Sequence, residues 1–259
     1  MGLTEPQRAA LRALVAACPG RPIALVGACA LGCNLDLRWR YTEDLDLALG
    51  VELEELAALL EGRAEWRHDA RLEHRWWFGE LKLDLLPVPP SSPRATTLRW
   101  PGSETEMNLA GLDLALQHHS ALDLGNGLSI GIPSIPLIVF LKIVSSLDRP
   151  AERERDLADI AFAFQDYLKD TDAWFEARLF DLPLQLEQIP AFLIGESLRP
   201  LIQEEHFSIL EIFIQQLSQE DDFYHQRMRS LGPPALRSFP ARLREQLEGL
   251  RLGVGLAHL

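Results

Sequence analysis

Strand-forming patterns stop at Pro133 in this chain, and that break constrains the fold more than any other feature. Before it, short alternating or wholly apolar runs interleave with amphipathic helical stretches. After it only helical periods remain, over 135–148, 152–169, 172–180, 191–203, 206–219 and 234–250. A strand needs partner strands, and a helix with one apolar face needs a surface to cover it. The order therefore predicts an α+β fold: a mixed sheet flanked by helices in residues 1–133, then a helical domain over 134–259. With 259 residues, each part is long enough to bury its own core, and no internal repeat is visible.

Local signals fill in the first part. Thr4 caps a helix with Pro6 in its first turn, stopped by Pro19-Gly20. An apolar strand follows over Ile23–Val26 and breaks at Gly27, ahead of a short helix over 28–36. Leu45 and Leu47 alternate with Asp44 and Asp46 as in a half-buried strand, and 51–62 reads as a second amphipathic helix. Residues 71–88 read as a hairpin turning at Gly79-Glu80. A loop over 89–97, a helix over 104–119 and a Gly-Asn-Gly turn between two short strands complete this half.

Composition excludes several classes. The net charge is -13, from 25 basic and 38 acidic side chains, which opposes a chain that coats nucleic acid over its whole surface. The balance reverses locally: 225–259 holds Arg227, Arg229, Arg237, Arg242, Arg244 and Arg251 against Glu245 and Glu248. That stretch reads either as a solvated helical face or as a basic tail that grips RNA or a partner. Three cysteines cannot build a disulfide scaffold, and the odd number points to reduced thiols and a cytoplasmic location. The first twenty residues lack a basic stretch followed by an apolar core, so they do not read as a secretory leader. The most apolar window, 135–144, is interrupted by Lys142 and is too short to cross a membrane, so no membrane partner is expected. Phosphate-loop, dinucleotide and nucleophile-elbow motifs are absent. Cys29 and Cys33 lie four apart on the short helix and read as small packing residues, because a zinc site needs a second clustered pair.

The chemistry concentrates between Gly27 and Asp84. On a strand, Asp44 and Asp46 point to the same face while Leu45 enters the core. Hard Mg2+ prefers such oxygen ligands together with substrate phosphates, and Asp84 on a neighbouring strand supplies a third carboxylate. An acidic outer face on an ordinary amphipathic strand would look the same locally. Gly27 adds a second signal, since it lets phosphate approach the backbone at a helix N-terminus. Of Trp76 and Trp77, adjacent on one strand, one faces the core and the other the opposite side, where a base could stack.

Together these residues resemble the polymerase-β type of nucleotidyltransferase fold and, more narrowly, the abortive-infection AbiEii-type nucleotidyltransferases. The matching elements are the turn Gly27-Ala28, the approach Arg40-Tyr41-Thr42-Glu43-Asp44, the pair Asp44 and Asp46, and Asp84. Ala28 stands where the family has a second Gly or Ser. A later stretch is similar to the family's lysine on an apolar helix, following arginine and basic-Asp-x-x-Asp helix, through Lys142, Arg149, Arg155, Asp156 and Asp159. The resemblance implies a cleft between sheet and helices that binds an NTP. In it, Asp44, Asp46 and Asp84 hold Mg2+, for which Mn2+ can substitute, and Asp84 alternatively deprotonates an acceptor hydroxyl. Gly27, Ala28 and Thr42 line the phosphates, and Lys142, with Arg40, neutralises them; Arg149, Arg155 and Asp156 complete the nucleotide-binding set. The implied reaction moves an NMP to a hydroxyl of tRNA, a protein or a small molecule, with release of pyrophosphate. The family's usual setting is a toxin–antitoxin or phage-defence pair, so a cognate toxin or antitoxin protein is an implied partner. The alternative is a catalytically degenerate chain of the same fold that serves as a binding partner.

Overall fold

A computed structural model describes residues 2–37, 42, 44–169, 171–219 and 243–257. The chain divides into two compact units, 1–134 and 135–259.

The first unit is built on a mixed seven-stranded sheet in the order β3-β4-β5-β2-β1-β9-β8. Its strands are β1 (Ile23–Val26), β2 (Leu45–Leu49), β3 (Trp66–His68), β4 (Arg75–Phe78), β5 (Leu81–Pro87), β8 (His119–Gly125) and β9 (Leu128–Pro133). A separate two-stranded ladder joins β6 (Thr97–Arg99) to β7 (Glu106–Asn108). Helices α1 (Glu5–Ala17), α2 (Gly27–Asn34), α3 (Leu53–Leu60) and α4 (Leu112–Gln117) accompany the strands. β1 runs antiparallel to β2 and parallel to β9, and β2 runs parallel to β5. Period-two alternation makes one face apolar: Leu25, Leu45, Leu47, Leu83, Leu85 and Trp76 are all buried there. The other face carries the charges.

α1 starts with a reciprocal cap. The Thr4 hydroxyl accepts from the Gln7 backbone N–H at 3.4 Å, and the Gln7 side-chain oxygen accepts from the Thr4 N–H at 2.9 Å. Thr4→Ala is expected to cost about 1 kcal/mol in urea unfolding, the usual worth of an N-cap.

The helix expected over 104–119 does not form. Residues 106–108 pair with β6 instead. The Asn108 side-chain oxygen then accepts from the Ala110 N–H at 2.9 Å, and Gly111 adopts φ +82°. That side-chain turn and left-handed residue interrupt the helical register, leaving only the short α4.

The second unit contains α5 (Ile135–Asp148), α6 (Glu154–Asp166), α7 (Ala177–Phe180), α8 (Ile189–Leu198), α9 (Glu204–Gln219) and α10 (Leu243–Val254). The stretch expected as one helix over 172–180 splits into a 3-10 turn at Asp172–Phe175 and α7, because Thr171 caps the first piece through the Ala173 N–H. α8 and α10 touch backbone to backbone. A Cβ on Gly253 would lie 2.2 Å from the Phe192 carbonyl oxygen, and one on Gly249 2.4 Å from that of Gln188. Among the described residues, no helix is long and apolar enough to cross a membrane.

Candidate functional site

The charged face of the sheet sets two of the three expected carboxylates, Asp46 and Asp84, side by side. Asp46 on β2 is the direct register partner of Asp84 on β5, so their side chains share a face on adjacent parallel strands. Asp44 lies two residues before Asp46, at the mouth of β2. Gly27, with φ +68°, turns β1 into α2. A Cβ at Gly27 would meet Asp46 Oδ2 at 2.1 Å and its Cγ at 2.8 Å, so the Asp46 carboxylate rests against the first turn of α2. The positive end of the helix favours a negative group there.

β4 and β5 add two cations to this face. Arg75 is the cross-strand partner of Asp84 and holds it with two parallel hydrogen bonds, Nε to Oδ1 at 2.8 Å and Nη2 to Oδ2 at 2.9 Å. His74 Nε2 lies 3.9 Å from Asp84 Oδ2. Lys82 forms an ion pair with Asp44. Trp77, paired in register with Lys82, is half-buried on the same face, and the Arg67 guanidinium lies 5.0 Å from its ring centroid. Its neighbour Trp76 is buried on the apolar face.

Lys82 and Arg75 were not singled out from the sequence, although a signal for both exists. With Gly79-Glu80 as a two-residue turn, hairpin register pairs Phe78 with Leu81 and then Arg75 with Asp84. Alternation then puts Lys82 on the Asp84 face.

Donor chemistry decides whether Mg2+ fits here. Asp44, Asp46 and Asp84 offer only hard oxygen ligands, which suit that ion. Two of them already carry a protein cation, and no group of three metal-ligating side chains converges into a ready cage among the described residues. The donor atoms suit magnesium, but an ion bound here would first have to displace Lys82 and Arg75.

The remaining expected nucleotide contacts divide. Ala28 lies in the first turn of α2, and it lines a small cavity with Thr42. Arg40 lies outside the described residues. Lys142, on α5, does not stand as a lone cation. Its side chain is 4% exposed, and its ammonium is 2.8 Å from Asp156 and 2.7 Å from Asp159, both on α6. A phosphate reaching Lys142 would first have to displace a carboxylate. Burial pushes the Asp156 carboxyl up, but the charge and hydrogen bond of Lys142 outweigh it and hold the group below the usual range. Arg149 lies near Asp148 and Glu152, and Arg155 is exposed on α6.

The basic tail is corrected in part. Arg251 is 4% exposed, bonded to Glu248 at 2.5 and 2.6 Å and to the Leu256 carbonyl oxygen, so it belongs to the packed side of α10. Arg227, Arg229, Arg237 and Arg242 lie outside the described residues.

No protein-family model matches the chain, and no curated protein matches it either.

Proposed function

We propose that the chain is a magnesium-dependent nucleotidyltransferase of the polymerase-β type, moving an NMP from an NTP to an acceptor hydroxyl. The observation that supports this most is the register of Asp46 opposite Asp84, with Asp46 seated over the Gly27 turn. An ordinary acidic strand face has no need of a left-handed glycine beneath one of its carboxylates.

In this reading Asp44 and Asp46 hold Mg2+, joined by Asp84. The ion supplies charge stabilisation for a triphosphate. Gly27 keeps the backbone at the start of α2 open to phosphate oxygens, where a side chain would block it. With the carboxylates engaged by an ion, Lys82 and Arg75 would be free to direct their charge toward the anionic substrate. As the alternative to holding metal, Asp84 released from Arg75 would accept the proton of the attacking hydroxyl. Trp77 offers a flat apolar surface for a base. The setting carried by the resemblance is a toxin–antitoxin or phage-defence pair, with tRNA, a protein or a small molecule as acceptor.

A second reading has its own observation. Asp44 and Asp84 are neutralised by Lys82 and Arg75, and Lys142 is enclosed by two aspartates. A degenerate chain that keeps the fold as a binding partner would hold these pairs permanently.

Calorimetric titration of the four NTPs, with and without Mg2+, separates the two. The active reading expects magnesium-dependent binding to the wild type that is lost in the Asp44→Ala, Asp46→Ala double variant. Absence of binding to the wild type in every condition overturns it in favour of the partner reading.

A further inference from the structure

Cys29 and Cys33 stand one helical turn apart on α2 and line a cavity of about 40 Å3 together with Gln7, Gly32, Leu37 and Thr42. Cys29 is buried and Cys33 half-buried. The Gln7 side-chain amide lies 4.0 Å from the Cys29 sulfur, and the Cys29 thiol donates a hydrogen bond to Cys33. That hydrogen bond, against burial, lowers the Cys33 thiol to about 7, with the nearby Arg8 charge contributing. The same bond, then burial and the charge of Asp46, push Cys29 up. One sulfur is thus ready as a thiolate near neutral pH, while the other keeps its proton until something replaces it.

Distance decides what this pair can do. Residues four apart on a helix have Cβ atoms ~5–6 Å apart, whereas a disulfide needs about 3.5–4.5 Å. A direct S–S bond would therefore require the helix to unwind, but a single ion lying between the two sulfurs would not. Two thiols supply too few ligands for tetrahedral zinc, and they satisfy a soft ion content with two-coordination.

We propose that Cys29 and Cys33 form a two-thiolate site for a soft, thiophilic monovalent cation of the Cu(I) class. The ion enters and stays as Cu(I), so no electron moves. Cys33 coordinates as the thiolate it already is, and Cys29 releases its proton to solvent as its Cu–S bond forms. Arg8 offsets the negative charge of the resulting bis-thiolate. This site does not depend on the nucleotidyltransferase reading.

The test is anaerobic competition for Cu(I) against bicinchoninate, followed by absorbance, on the wild type and on the Cys29→Ala, Cys33→Ala and Cys18→Ala variants. The expected result is one Cu(I) per chain, weakened by about 100-fold in either of the first two variants and unchanged in Cys18→Ala. In wild type at pH 8, binding should release about one proton per ion, the one from Cys29. That readout needs no variant to fold. Wild-type affinity no greater than that of the Cys29→Ala, Cys33→Ala double variant, or equal loss in Cys18→Ala, would overturn the proposal. So would Cu(I) binding at pH 8 with no proton released.

Discussion

Lys142→Met is expected to destabilise the protein by about 3–5 kcal/mol, the cost of leaving buried carboxylates without their cation. Asp159 is fully buried and Asp156 nearly so, and both lie within 2.8 Å of the Lys142 ammonium. Methionine keeps most of the apolar stem and removes only the charge, so the loss would not come from packing. Urea unfolding monitored by helical circular dichroism measures it. The companion variant Lys142→Met, Asp156→Asn, Asp159→Asn removes the orphaned charges and should recover most of the loss. The pH dependence has a definite sign. In wild type Asp156 lies below its unfolded value, so its contribution is complete above ~4 and fades as pH falls through the lower, folded value. Without Lys142, burial is opposed only by the Arg153 charge and the Ser145 hydroxyl, and it should raise Asp156 above the unfolded value. The folded variant then binds a proton more readily than the unfolded chain, and the gap to wild type should narrow between pH 7 and pH 5. A gap that stays constant would show that charge at this cluster is not the cause.

Gly27→Ala should be nearly as damaging, through two separable effects. A non-glycine residue at φ +68° carries backbone strain of about 1–3 kcal/mol. The added methyl also cannot coexist with Asp46 as placed, since it would lie 2.1 Å from Oδ2 and 3.0 Å from the Asp46 Cβ. Because the near atoms include Cβ, turning the carboxylate aside does not relieve the clash, and β2 or the start of α2 must move. Pairing Gly27→Ala with Asp46→Gly isolates the two parts. The double variant keeps the strain and loses the clash, so the coupling between the sites should reach about 0.5–3 kcal/mol. Strictly additive losses in urea unfolding would mean that Asp46 does not depend on the glycine. If the nucleotidyltransferase reading holds, Gly27→Ala also loses magnesium-dependent NTP binding.

Legibility followed the range of the interaction. Ile23–Val26 and Ile135–Asp148 could be read to the residue, because an apolar run ending in glycine and a helical period starting after proline are local signals. The hairpin was equally readable, and its register already contained the Arg75–Asp84 pair. For β2 and β5 the expectation went only as far as Asp84 lying on a neighbouring strand, and the register that sets it opposite Asp46 was not legible. These strands are joined in sequence by α3, β3 and β4, and nothing local to either states the register between them. The same limit applied to Lys142. A lysine among apolar residues announces that it needs an anion, and Asp156 with Asp159, three apart on one helix face, read as able to orient either Lys142 or Arg149. The sequence favoured a phosphate for Lys142, and the two aspartates hold it instead. Arg251 misled for a related reason, since charge counting along the chain is blind to which side of a helix is packed.

The glycine contacts between α8 and α10 also bear on how the protein is made. α8 ends at Leu198, while the helix that presses its backbone against it ends at Val254. At ~5–20 residues per second, the apolar surface of α8 is synthesised roughly 3–10 s before its cover is. The second unit therefore completes its core only after translation has passed Val254, and until then α8 is a segment for chaperones to shield. A chain halted at residue 242 would carry that surface bare for its whole lifetime.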